Sequence, residues 1–222
     1  MSLFNYESKF MQVLLHLADL MILNVLYIIC SIPIFTMGAA QAGLHSAVRV
    51  MTDPEDDTGV SKAFFKGFAG GFGKVTLAWC LVGVLSVTLI YLGVAAIQLG
   101  SPGWPIYLGL FLVCWVQSGI PAMHSWFDCT AMQLIRNACL FNLAHPLRTL
   151  GAAVLFSLPL FMALCFTYYF MWLAPIWLLL YSSTAILFAE SLLKKPLQKL
   201  AARFRPPEEK TEEEKLLAEV EE

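Results

Sequence analysis

The chain has 222 residues, 59% of them hydrophobic and 14% charged, with a mean hydropathy of +0.70. Typical soluble domains are about 45–50% apolar and about 25% charged, and a chain this apolar has too little polar surface to cover a water-exposed fold. A soluble enzyme, a disordered chain and a secreted disulfide scaffold are excluded. The net charge of −2 includes no basic face interleaved with aromatics, which argues against nucleic acid as a partner.

A membrane span needs about 20 mainly apolar residues, and five stretches qualify: 20–40, 75–99, 104–126, 150–172 and 175–193. Each must be helical, because lipid offers no partner to free backbone groups. Ahead of the first span, Phe10, Leu14, Leu17 and Met21 recur at helical spacing. They read as an interfacial helix or as the start of one long tilted helix. Within and after this span, Gly38/Ala42 and Ala39/Gly43 give small-xxx-small spacing, which permits close helix approach. Asn24 is a candidate interhelical hydrogen-bonding group, and Pro33 a candidate kink.

An acidic turn, Asp53-Pro54-Glu55-Asp56-Asp57-Thr58-Gly59, precedes Ser61, a candidate helix cap. Phe64, Phe68 and Phe72 then fall four apart with Phe65 beside them, flanked by Lys62 and Lys66. This stripe predicts a short amphipathic helix that lies on lipid or is offered to a protein partner. Gly67, Gly70, Gly71 and Gly73 weaken it as an isolated helix. The same stretch fails as a phosphate-binding loop, since Phe68 stands where the pattern needs Gly and Val75 where it needs Ser or Thr.

In the third span, Ser118 and His124 lie about 240° apart on a helix, so they face away from each other and form no nucleophile–base dyad. Asp19, Asp128 and Glu190 fall near span ends, where hydration or a nearby cation suffices; for Glu190 the natural partner is Lys194 at i+4. The six cysteines lack the paired spacing of metal or redox sites. No catalytic, cofactor-binding or metal-binding residue is expected, and no cofactor.

Basic residues set the expected topology. Arg49, Lys62, Lys66 and Lys74 follow the first span, Arg136 and Arg148 the third, and Lys194, Lys195, Lys199, Arg203, Arg205 and Lys210 the fifth. Only Lys9 falls on the other side, which places the N-terminus outside and the C-terminus in the cytosol. Trp104, Tyr107, Tyr168, Tyr169, Trp172 and Trp177 cluster at the expected outer ends. The expectation is an all-α polytopic bundle, with a five-span domain over 1–195 plus interfacial amphipathic helices. A cytosolic tail, basic then acidic, covers 196–222.

Several stretches carry a family resemblance: Ala18-Asp19-Leu20-Met21-Ile22-Leu23-Asn24, Cys30-Ser31-Ile32-Pro33 and Thr36-Met37-Gly38-Ala39, then Phe64-Phe65-Lys66-Gly67-Phe68 and Arg136-Asn137-Ala138. Together they resemble the YesL-like family of bacterial membrane proteins, a domain of unknown function. The chain departs from that pattern at Gly71-Phe72-Gly73-Lys74 and at Ile120-Pro121-Ala122-Met123-His124. The resemblance implies a bacterial cell membrane and an accessory role in carbohydrate uptake, since such proteins are often encoded beside ABC-type sugar importers. On this reading the protein is not an enzyme, and its partners are the lipid bilayer and a sugar-importer permease, with oligomeric state left open. Phe64, Phe65, Phe68 and Phe72 are the candidate partner-binding residues, and Asn24, Pro33, Gly38, Ala42 and Gly43 the candidate helix-packing residues. The alternative is an independent small-solute transporter or channel.

Overall fold

The structure, a computed structural model, describes residues 9–53, 58–165 and 180–204. Seven α-helices account for nearly all of them, and no strand occurs among the described residues: α1 Lys9–Ser31, α2 Met37–Met51, α3 Val60–Gln98, α4 Trp104–Trp126, α5 Ala131–Ala144, α6 Pro146–Cys165 and α7 Ser182–Phe204. Met11–Ser31, Val60–Gln98 and Trp104–Trp126 are each long and apolar enough to cross a membrane. The pair Ala131–Ala144 and Pro146–Leu155, bent by 112°, makes a fourth if it is one broken span. The protein is a polytopic helical membrane protein. Residues 166–172 and 175–179 of the fourth and fifth expected spans lie outside the described residues. So do Tyr168, Tyr169, Trp172, Trp177 and the tail beyond 204.

The first expected span is displaced. Its helix begins by Lys9 and stops at Ser31, because Pro33 has no N–H to donate and pushes the residue before it out of the helical region. A single 3-10 turn, Ile34–Thr36, follows. The one proton of Thr36 Oγ1 is shared between the carbonyl of Cys30 at 2.6 Å, an acceptor that the break releases, and that of Pro33 at 2.7 Å, which also accepts the Thr36 N–H. Pro33 therefore ends the helix, where the sequence suggested only a kink. Residues 37–40 belong to the separate helix α2.

Fifteen residues give α2 a length of about 22 Å, short of the roughly 30 Å hydrocarbon layer. It is instead the hub of the bundle. Gly38, Ala39, Ala40, Ala42, Gly43, Leu44, His45, Ala47 and Val48 are all buried, against α1, α3, α4 and α7. Small side chains allow this. A Cβ on Gly38 would sit 2.6 Å from Cβ of Trp79, and one on Gly43 would sit 2.8 Å from the Phe64 carbonyl oxygen. On α3, a Cβ on Gly67 would overlap Ser46, and one on Gly71 would meet His124 of α4 at 2.9 Å. The glycines of 67–73 thus serve in part as contact points for neighbouring helices, which offsets their poor helix propensity.

The Phe stripe and the second expected span are one helix, α3, of 39 residues and about 58 Å. Its cap position is Gly59, with no side-chain cap bond, so the capping role expected of Ser61 does not arise. The helix ends in a Schellman turn. Ser101 N–H donates to Ala96 O at 2.9 Å and Gly100 N–H to Ile97 O at 3.0 Å, with Gly100 at φ +73°, a conformation that favours glycine. Pro102 and Gly103 then lead into α4, whose bounds coincide with the third expected span. The hairpin stays tight because Gly93 and Gly103 both leave room for the Tyr107 ring.

Candidate functional site

Two groups of residues are set apart by chemistry. The first is a polar seam inside the bundle. His45 on α2 and Glu190 on α7 are joined Nδ1 to Oε1 at 2.7 Å, with side chains only 2% and 3% exposed. This corrects the peripheral placement of Glu190 and its pairing with Lys194. Burial of the α7 face that carries Ala185, Ile186, Ala189, Leu193 and Leu197 takes Glu190 inward with it. Lys194 instead donates from Nζ to the Thr52 carbonyl at 3.1 Å, at the C-terminal end of α2, where a cation suits the helix dipole.

One face along, Asn24 is fully buried, and its Oδ1 accepts from the Ser183 N–H at 3.3 Å. The Ser183 hydroxyl donates to Leu20 O at 2.9 Å, completing a polar tie between α1 and α7. A matching tie joins α4, α5 and α6: Asn142 Nδ2 donates to Trp115 O at 2.8 Å, and Trp115 Nε1 donates to Thr149 Oγ1 at 3.1 Å. Such bonds between membrane helices contribute about 0.6 kcal/mol each on average.

The second group lies on α3. The structure separates the four phenylalanines expected to meet a partner. Phe64 is fully buried against α2 and stacks with Phe68 at 6.3 Å, so it is unavailable to a partner in this arrangement. Phe68 is half-buried, whereas Phe65 and Phe72 are 50% and 43% exposed. With Ala69 between them they form one exposed face, flanked by exposed Lys62 and Lys66. The split has a plain cause: α2 covers one side of the helix, and a four-residue repeat drifts around it.

Cations also clamp the end of α4. Arg49 Nη1 donates to Ser125 O at 2.5 Å, and its guanidinium lies 4.7 Å from the Trp126 ring centroid. Lys74 forms an ion pair with Asp128. The hydrogen bond and charge of Lys74 hold the Asp128 carboxyl below the usual carboxylate range. A depressed carboxyl pKa stabilises the fold above the unfolded-state value, and the contribution is lost as pH falls through the folded-state value. A carbon-13 carboxyl titration of the wild type should therefore show an Asp128 midpoint below the ordinary range. In Lys74→Gln it should move upward; an unmoved midpoint would exclude Lys74 as the cause.

Ser118 donates its hydroxyl to Trp115 O at 2.8 Å within its own helix, and His124 lies against Gly71, so neither residue is placed for a dyad with the other. Asp19 lines a shallow cleft with His16 and Lys62. Among the described residues, no three of His, Cys, Asp and Glu form a group that could hold a metal.

Neither the curated proteins nor the solved structures contain a match to the chain. Residues 20–93, which run from α1 through the Pro33 break and α2 into α3, match the model of a family described as protein of unknown function, DUF624, and the YesL-like resemblance is consistent with it.

Proposed function

We propose that the protein is a non-enzymatic accessory subunit of a bacterial cell-membrane assembly for carbohydrate uptake, held against an ABC-type permease. The cation-rich end, including the tail, faces the cytosol. The observation that carries this reading is the exposed Phe65–Ala69–Phe72 face with Lys62 and Lys66. It lies on a helix roughly twice as long as the hydrocarbon layer is thick and is braced from behind by α2. A rigid helix presenting aromatic anchors and cations is a suitable element for docking a partner. The carbohydrate assignment rests on the family resemblance.

The test is purification of the tagged protein from its native membrane in mild detergent, with co-purifying proteins identified by mass spectrometry. A stoichiometric sugar-importer permease is expected. Phe65→Ala/Phe72→Ala should reduce its recovery about tenfold or more, as loss of two central aromatic anchors does. A solitary protein, or full recovery with the double variant, would reject this docking face.

The buried His45–Glu190 pair favours a second reading, an independent small-solute transporter. Ionisable groups within membrane bundles commonly mark transport pathways. That reading requires solute flux into liposomes containing this protein alone, and its loss in His45→Gln.

A further inference from the structure

A cavity of about 1070 Å³ opens between the end of α4, α5, the start of α6 and α7. It differs from both groups of residues above. Arg136 of α5, Arg148 of α6, and Lys195 and Lys199 of α7 line it, all exposed. Its one carboxylate, Asp128, is already engaged by Lys74. Among the described residues the four cations form no ion pair. The rest of the wall is largely apolar, including Phe127, Leu140, Phe141, Leu147 and Leu200.

The bend of 112° between α5 and α6 brings these two characters together. It sets Leu147, 87% exposed, next to Arg148, and leaves Leu140 58% exposed one turn from Arg136. A small soluble anion would satisfy the cations and leave this apolar wall against water. A ligand with a phosphate and a hydrocarbon body satisfies both. In a membrane protein that ligand is at hand, because basic pockets between helices at the cytoplasmic face suit anionic headgroups.

We propose that this cavity binds an anionic phospholipid of the bilayer. Arg136, Arg148, Lys195 and Lys199 hold the headgroup phosphate, and the acyl chains lie on Leu140, Leu147 and Leu200. The lipid joins α5, α6 and α7 through charge that the described residues do not themselves balance.

The test is native mass spectrometry of the full chain in detergent, titrated with dioleoyl phosphatidylglycerol or dioleoyl phosphatidylcholine. Retained phosphatidylglycerol is expected, with little phosphatidylcholine. Replacing all four cations (Arg136→Gln, Arg148→Gln, Lys195→Gln, Lys199→Gln) should weaken phosphatidylglycerol binding on the order of a thousandfold. Lys62→Gln/Lys66→Gln, outside the cavity, should leave it unchanged. The wild type supplies a readout independent of variant folding: its melting temperature should rise with phosphatidylglycerol and not with phosphatidylcholine.

Equal retention by the four-cation variant, or an equal rise in melting temperature with both lipids, would overturn the proposal. So would displacement of the lipid by millimolar inorganic phosphate, which would make a soluble phosphate compound the ligand. Binding that appears only after removal of 206–222, with its run of glutamates, would assign the cavity to the tail instead.

Discussion

Replacing His45 with leucine should destabilise the protein by about 3–5 kcal/mol, the usual effect of removing one partner from a buried ionisable pair. Glu190 would keep its place among Ala185, Ile186 and Ala189 with its hydrogen bond from the imidazole gone. The loss should be strongly non-additive. Removing both partners together, in His45→Leu/Glu190→Met, leaves no orphaned carboxylate and should recover most of the stability, because apolar replacements of buried pairs are often close to neutral. Glu190→Gln should lie nearer the wild type, since its amide oxygen can still accept from Nδ1. Thermal unfolding in detergent, followed by size-exclusion fluorescence and read as a double-mutant cycle, measures this coupling. Additive losses would mean that the two side chains do not depend on each other.

The next largest effect should come from the contact between α2 and α3. In Gly38→Ala the new methyl would lie 2.6 Å from Cβ of Trp79 and 2.7 Å from its Cγ. These atoms sit at the root of the side chain and cannot swing aside, so the helices must part. Overpacking of this kind costs about 1–3 kcal/mol, and Gly38→Leu should exceed that. Gly73→Ala and Gly109→Ala are the controls. A Cβ at either position meets nothing within 4 Å, so each should gain about 0.5–1 kcal/mol of helix stability. If Gly38→Ala melts no lower than Gly73→Ala, the close approach of α2 to α3 is not as described.

How much of this was legible in the sequence depends on the range of each interaction. The helical membrane class follows from hydropathy, which is a local sum, and the bounds of α4 agree with the expected span. The first span was misplaced because 32–40 is apolar or small throughout, so a hydropathy window runs over Pro33 without registering the break. The length of α3 was hidden in the opposite way, since four glycines argued for a weak helix. Their contacts with Ser46 and His124 depend on residues far along the chain.

Among the packing candidates, Gly38, Ala42 and Gly43 are buried in α2 and Asn24 accepts a hydrogen bond from α7. Glu190 was beyond reach, because its partner lies 145 residues away and Lys194 supplied a closer, plausible one. A single signal was available: Glu190 interrupts an apolar run, Ala185 to Leu193, in which only small or apolar residues precede it.

The short length of α2 has a consequence for biogenesis. A helix of about 22 Å that carries His45 and Arg49 is a poor substrate for insertion by itself, so its place depends on helices made after it. At about 5–20 residues per second, the 145 residues from His45 to Glu190 take about 7–30 s to synthesise. Through that interval the hub of the bundle has its α3 contact but not its α7 partner. Arrival of α7 supplies Glu190 to the seam, so a chain cut short before Glu190 cannot form the bond that ties α2 to α7, and the order of synthesis makes this the last tie the hub acquires.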